Sequence, residues 1–254
     1  MISAAGGPAT PPGAVAASGA DHLARHLRAA ELIRTVDPEF AAAAESLVAH
    51  PHRHGVLAPS VRALVVLAAE SVIPEADEPR IEAAIDAALE DGATWDEVLC
   101  TLEIACSIGL HSVSVGLPLL LAEMERAGLP LPEETSRQRE LQHALETGGP
   151  RPRPLNPIYA GILRMDPEYF AARVRFIDLP WEREGVLDPR VKHLLSIAID
   201  AVSPQHYVDG LRKHLREALA AGVRPEAVLE VLQLASVTGM RTLDVGLAVL
   251  ARRQ

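Results

Sequence analysis

Leu57-Ala-Pro-Ser-Val61 and Leu187-Asp-Pro-Arg-Val191 are two versions of one phrase, and the match runs on well past both. Sliding Leu57–Leu121 onto Leu187–Ala251 needs no gap, and 19 of the 65 positions are identical, nearly all apolar, Gly or Pro. Gly92 falls on Gly222, and Val115-Gly-Leu117 falls on Val245-Gly-Leu247. Upstream, Asp37-Pro-Glu-Phe40 echoes Asp166-Pro-Glu-Tyr169 with one residue slipped between. So long an ungapped register marks a duplicated unit. The organisation expected is a disordered tail over 1–20, a first repeat over 21–130, a Pro-rich polar linker over 131–154 and a second repeat over 155–254. The linker carries one expected helix, Glu133–Leu145.

The punctuation inside each repeat is helical. Pro59 and Pro189 suit a first helical position, and Asp188 is a good N-cap before the second of them. Apolar residues then recur at helical spacing, as Val61, Leu64, Val65 and Ala68 and as Val191, Leu194, Leu195 and Ala198. Gly92 and Gly222 suit the position just past a helix end. Thr94 with Glu97 reads as a capping box, and Pro225 opens the partner helix. Gly109 and Gly239 interrupt the next run, as a kink, a break or a close helix crossing. The fold class is all-α: a tandem duplication of a five- to six-helix bundle, its two copies related by a pseudo-two-fold.

Composition agrees. Ala and Leu abound, while the 254 residues include only three Phe, three Tyr and two Trp. Lys and Arg number 24 against 34 Asp and Glu, a net charge of −10 with no basic run. Nucleic acid and anionic membranes are therefore poor partners. No stretch reaches ~18 uninterrupted apolar residues. The opening segment lacks a basic leader region, and Cys100 and Cys106 are too few for a disulfide framework. The expected location is the cytoplasm.

The second repeat carries the chemistry-bearing side chains: His193, Asp200, His206, Tyr207, Arg212 and His214. Ala88-Leu89 with Gly92 and then Val98-Leu99, repeated as Ala218-Leu219 with Gly222 and Val228-Leu229, resembles the scaffold of the carboxymuconolactone decarboxylase family, which includes the alkylhydroperoxidase-type proteins. Gly109-Leu-His111-Ser-Val-Ser-Val-Gly116-Leu-Pro118 is similar to the tail of its tandem members. The peroxidase branch uses a Cys-x-x-Cys-x-x-x-His helix with a preceding Glu. Aligned on His214, its two cysteine positions are Tyr207 and Gly210, and the Glu position falls on His193. The first repeat has Asp77, Arg80, Ala84 and Ala63 there. The resemblance therefore excludes that thiol chemistry in its usual form. It implies a lyase or isomerase of the decarboxylase kind, without cofactor or metal, acting on a small cyclic keto acid, lactone or polyketide-type intermediate. It also implies a homo-oligomer, as a dimer or trimer.

His214 is the expected principal acid/base, with His193 or His206 as its proton partner. Tyr207 or Arg212 would hold the substrate's oxygens. His111 from the first repeat is a further substrate-binding candidate. Asp200, matching Glu70, reads as lying near a helix end or facing solvent. Cys100 and Cys106 read as buried small residues. His50-Pro-His52-Arg-His54 reads as a solvated Pro-containing loop rather than a metal motif, and a zinc site from His193, His206 and His214 is a minor alternative. The competing class is a binding or assembly protein that keeps the fold without redox thiols. A peroxidase using a different thiol is a third.

Overall fold

The computed structural model describes residues 26–72, 77–148, 151–202 and 206–253, and every regular element among them is helical. The segment expected as a disordered tail lies outside them. The chain divides into two compact units that cut across the repeats: one spans residues 55–238, and the other joins the residues up to His54 with those from Gly239 onward.

The terminal unit holds α1 (Ala30–Val36), α2 (Pro38–His54) and, at the far end of the chain, the helix Arg241–Ala251. Asp37 closes α1 and its carboxylate accepts from the Phe40 amide at 2.9 Å, so α2 starts at once. Arg34 reaches across to Glu45 at 2.7 Å. Asp244 accepts from the Ala29 amide at 2.8 Å. His50, His52 and His54 form the last turn of α2, not a loop, and Pro51 is accommodated inside the helix.

In the larger unit, α3 (Pro59–Glu70), α4 (Glu78–Glu90), α5 (Trp95–Cys106) and α6 (His111–Arg126) come first. After α7 (Ser136–Thr147) come α8 (Pro157–Met165), α9 (Pro167–Glu182), α10 (Pro189–Ala201), α11 (Val208–Ala220) and α12 (Pro225–Ser236). Arg241–Ala251 in the terminal unit completes the series as α13. The order α3 to α6 recurs at the repeat spacing as α10 to α13. The expected caps are present: Asp188 accepts from Arg190, and Thr94 and Glu97 form a reciprocal box. Gly92 and Gly222 adopt φ of +93° and +82°, a left-handed conformation that ends α4 and α11 with paired backbone bonds. A 3-10 turn, Ser107–Leu110, holds Gly109 and separates α5 from α6. The linker helix begins at Ser136 rather than Glu133, because Thr135 is its N-cap in a capping box with Gln138.

One core serves both repeats within this unit. Leu64, Val65, Leu67 and Ala68 of α3 and Leu195, Ile197 and Ala198 of α10 belong to a single buried cluster. The two helices pack on each other, α3 also packs on α12, and α10 also packs on α5. A second cluster, with Leu145, Ile162, Leu163 and Phe170, ties α7, α8 and α9 into a wall. Trp95–Arg126 and Pro225–Ala251 are long and apolar enough to cross a bilayer by length and composition alone. In the first, the apolar side chains Val98, Cys100, Ile104 and Ala105 are core residues.

A buried ion pair pins α3 to α12. Glu230 is 2% exposed and accepts from Arg62 at 2.7 Å. Its other oxygen takes the Val56 and Leu57 amides, at 2.5 and 2.8 Å. Removing one partner of such a pair leaves an uncompensated charge, which typically costs ~3–5 kcal/mol. Glu230→Ala should therefore lower urea-unfolding stability by ~3 kcal/mol. A loss below ~1 kcal/mol would show that water or rearrangement satisfies Arg62 instead.

Candidate active site

On α10, His193, Ser196 and Asp200 recur at i, i+3 and i+7 and so lie on one face. On the antiparallel neighbour α11, Gly210, His214 and Glu217 form the facing stripe. The Tyr207 amide donates to the Asp200 carbonyl at 2.9 Å, which locks the start of α11 against the end of α10. Gly210 is required by this approach: a Cβ there would sit 2.4 Å from Asp200 Oδ2 and 2.5 Å from the Tyr207 ring. Buried Lys192 donates to the Trp181 and Arg183 carbonyls at 3.1 and 3.3 Å, anchoring the end of α9 beside the same face.

These faces border a cavity of about 520 Å³, lined on the other side by α6, α8, α9 and Arg151 of the linker strap (131–154). Asp200 is 4% exposed at its side chain and meets His111 Nε2 at 3.4 Å. The His111 ring lies 4.0 Å from the Tyr207 ring, centroid to centroid. The Tyr207 and Ser114 side chains both line this cavity, and Ser114 Oγ accepts from Arg173 at 2.8 Å. Arg173 binds the Leu110 carbonyl as well, at 3.0 Å, fixing the first turn of α6.

The electrostatics divide the groups. Burial pushes the Asp200 carboxyl up to about 7, against the opposing pull of Lys213. Burial, with Arg173 adding repulsion, pushes His111 down to about 4. Near neutral pH the proton of this pair therefore belongs to the carboxyl, and the imidazole is neutral. His214 and His193 are both lowered by burial, with Lys213 and Arg151 disfavouring their charged forms. His193 Nδ1 lies 3.4 Å from His214 Nδ1. Glu217 Oε2 lies 3.5 and 3.6 Å from the same two atoms. Among the described residues these three form the group with metal-ligand spacing, its donor atoms all within 4.8 Å of one another.

Arg151 stacks over the Trp181 ring at 3.9 Å and faces Asp178 at 3.7 Å. Lys213 is half exposed at the cavity, yet protein surrounds it closely enough that burial lowers its pKa. Arg151, Arg173, Lys213 and Arg216 give the lining four cations against the acids Asp200 and Asp209.

Of the residues singled out in sequence, His214, Tyr207 and His111 share the cavity lining. His193 sits behind His214. His206 is exposed on the turn before α11, with φ +36°, and is not among the lining residues. Arg212 pairs with Asp209 at 3.1 Å and is 63% exposed. It is two residues from both Gly210 and His214, which turns it to the opposite side of the helix. Tyr207 is the N-cap of α11 rather than part of it. Asp200 corrects the solvent-facing expectation, since it lies at a helix end but buried. Its i+7 spacing from His193 was the available signal. Arg151 and Arg173 carry no local signal, because distant segments bring them in. Cys100 is buried as expected, its thiol pushed up by burial, whereas Cys106 is exposed.

Two variants test this geometry. Between its ordinary 3.8 and about 7, Asp200 holds a proton in the folded chain that the unfolded chain has released, so its contribution to stability falls as pH rises through that window. His111 acts oppositely between about 4 and 6.5, where the unfolded chain holds the extra proton. Asp200→Asn removes only the first contribution. Its stability relative to wild type should grow from pH 4 to 7 and then level off, by at most ~4 kcal/mol at about 1.4 kcal/mol per pKa unit. A difference independent of pH would mean a solvated carboxylate. Gly210→Ala should displace the carboxylate and abolish the pH dependence of that difference.

The comparisons agree with this architecture. The model of the carboxymuconolactone decarboxylase family matches residues 167–250. A crystal structure from Burkholderia xenovorans LB400, described as a "putative gamma-carboxymuconolactone decarboxylase subunit", superposes with a TM-score of 0.82 at 33% identity, over 92% of this chain and 95% of that one. No curated protein matches the chain significantly. Identity at that level over nearly the full length of both chains is a family relationship, and this chain belongs to the carboxymuconolactone decarboxylase family.

Proposed function

We propose that the protein is a decarboxylase-like lyase or isomerase that moves a proton next to a carbonyl in a small cyclic keto acid or lactone bearing carboxylates. The observation that carries the reading is a buried carboxyl, Asp200, held protonated to about pH 7 beside a neutral imidazole at the wall of a cavity rich in cations. A carboxyl with a pKa near the working pH is suited to general acid catalysis. The cations suit an anionic substrate, with Arg151 and Lys213 as the groups for one carboxylate. Ile104 and Phe176 give the remaining wall an apolar character that favours loss of charge as a second carboxylate leaves.

In the decarboxylation, the bond between the ring carbon and the leaving carboxylate breaks and carbon dioxide departs. The electron pair enters the neighbouring carbonyl as an enolate, whose oxygen the Tyr207 hydroxyl stabilises. Asp200 then delivers its proton to carbon and becomes a carboxylate, and a proton from water, relayed across the neutral His111 ring, restores the carboxyl for the next turnover. Isomerisation would break a C–H bond instead of a C–C bond, with the neutral His111 imidazole taking the proton and Asp200 delivering its own to the other end of the enolate. His214 and His193, both neutral, form a second pair able to accept a proton. Arg212 and His206 take no part in this scheme. The relative's description as a subunit supports an oligomer, and the acidic charge argues against nucleic-acid partners.

The experiment is a turnover and binding panel of carboxylated lactones, gamma-carboxymuconolactone among them, and cyclic β-keto acids. Wild type should release carbon dioxide or isomerise at least one, with kcat falling as pH rises through about 7. Asp200→Asn should bind that compound comparably but lose at least ~100-fold in kcat and the pH dependence with it. Arg151→Ala should raise KM more than it lowers kcat. Tight binding without turnover would favour the binding-protein reading, and equal turnover by wild type and Asp200→Asn would remove Asp200 from the mechanism.

A further inference from the structure

His193, His214 and Glu217 form a cluster that the acid–base scheme leaves without a necessary task. The three nearest donor atoms, His193 Nδ1, His214 Nδ1 and Glu217 Oε2, are separated by 3.4, 3.5 and 3.6 Å. A tetrahedral zinc ion with ligands at about 2.1 Å has edges of about 3.4 Å between them. Three donors on two helices thus already mark one face of such a tetrahedron. His214 and Glu217 are three apart on α11, a spacing used for ligand pairs in helical bundles, and His193 faces them from α10. Glu217 Oε2 is shielded from water and makes only long contacts of 3.5–3.6 Å, to the two Nδ1 atoms and to Lys213 Nζ.

We propose that His193, His214 and Glu217 bind a divalent transition-metal ion of the zinc class, leaving one coordination position for water or a substrate oxygen. The proposal departs from the metal-free chemistry that the family resemblance implies. It does not rest on the decarboxylase reading, because Asp200 and His111 take no part, and it makes the His193–His214 pair ligands rather than proton acceptors. Both imidazoles are neutral and the carboxylate supplies one negative charge, the donor set such an ion prefers. Two cations oppose the ion. Lys213 Nζ is 3.5 Å from Glu217 Oε2, and Arg151 borders the same cavity. Lys213 is half exposed, so solvent screens its charge, and its repulsion weakens binding rather than forbidding it.

The test is a zinc titration of chelator-stripped full-length protein against a competing fluorescent chelator, with no substrate present. One ion per chain should bind with Kd below ~1 μM. Glu217→Gln and His193→Ala should each weaken binding at least ~30-fold, as expected for loss of one of three ligands, with unfolding midpoints of the stripped proteins checked alongside. Lys213→Ala should tighten binding several-fold, an effect a merely structural cluster would not produce. The Trp181 ring centroid lies 4.8 Å from that of His193, so cobalt bound here should quench Trp181 fluorescence in a Trp95→Phe background. Absence of stoichiometric binding, zinc retained unchanged by Glu217→Gln through sites such as the His50–His54 turn, or cobalt that binds without quenching Trp181 would each overturn the proposal.

Discussion

The contact on which the site depends is the seating of the Asp200 carboxyl over the bare backbone of Gly210. The Tyr207 amide on the Asp200 carbonyl draws α10 and α11 together, and the missing Cβ of Gly210 gives the carboxyl its place. Once seated, the carboxyl is removed from water and meets a neutral imidazole at 3.4 Å, and this burial outweighs the pull of Lys213. Its raised affinity for a proton follows from that placement. The Tyr207 ring packs at a tilt against His111, and Arg173 holds Ser114 and Leu110, which positions the partner imidazole. With its pKa raised to about 7, a carboxyl in this setting still holds a share of its proton at neutral pH, where an exposed aspartate has lost it.

The two sequence repeats differ at these matched positions. Where the second has Asp200, Tyr207, Gly210 and His214, the first has Glu70, Asp77, Arg80 and Ala84. Both acids, Glu70 and Asp200, are buried. Arg80 replaces the glycine with a large charged side chain, and Ala84 removes the imidazole. The first repeat contributes instead through α5 and α6, which bring Ile104, His111 and Ser114 to the cavity. The cavity is thus a joint product of both halves, with its acid from one and the acid's imidazole partner from the other.

Much of the fold was legible because its determinants are local. Asp188 and Thr94 as caps, and Gly92 and Gly222 as helix ends, act through neighbouring backbone groups, and their spacing survives in a one-dimensional reading. The linker helix shifted by three residues because the Thr135–Gln138 box competes with the acidic pair before it. The His50–His54 segment stayed helical through Pro51, where local propensity alone argued for a loop. At the site, His111, Tyr207 and His214 were visible as residue types, whereas Arg212, expected to hold substrate oxygens, turns away from the cavity and pairs with Asp209. The decisive features were long-range: burial of Asp200 depends on packing between helices, and Arg151 and Arg173 reach the cavity from the strap and from α9. No periodicity reports such encounters.

The central claim is that Asp200 is a protonated acid at neutral pH. It is tested most directly by a carbon-13 NMR titration of aspartate side-chain carboxyls, with Asp200→Asn used to assign the resonance. The account predicts a midpoint near 7, well separated from the other aspartates. A midpoint near 4 would mean a solvated carboxylate, and the acid–base reading of the cavity would fall with it.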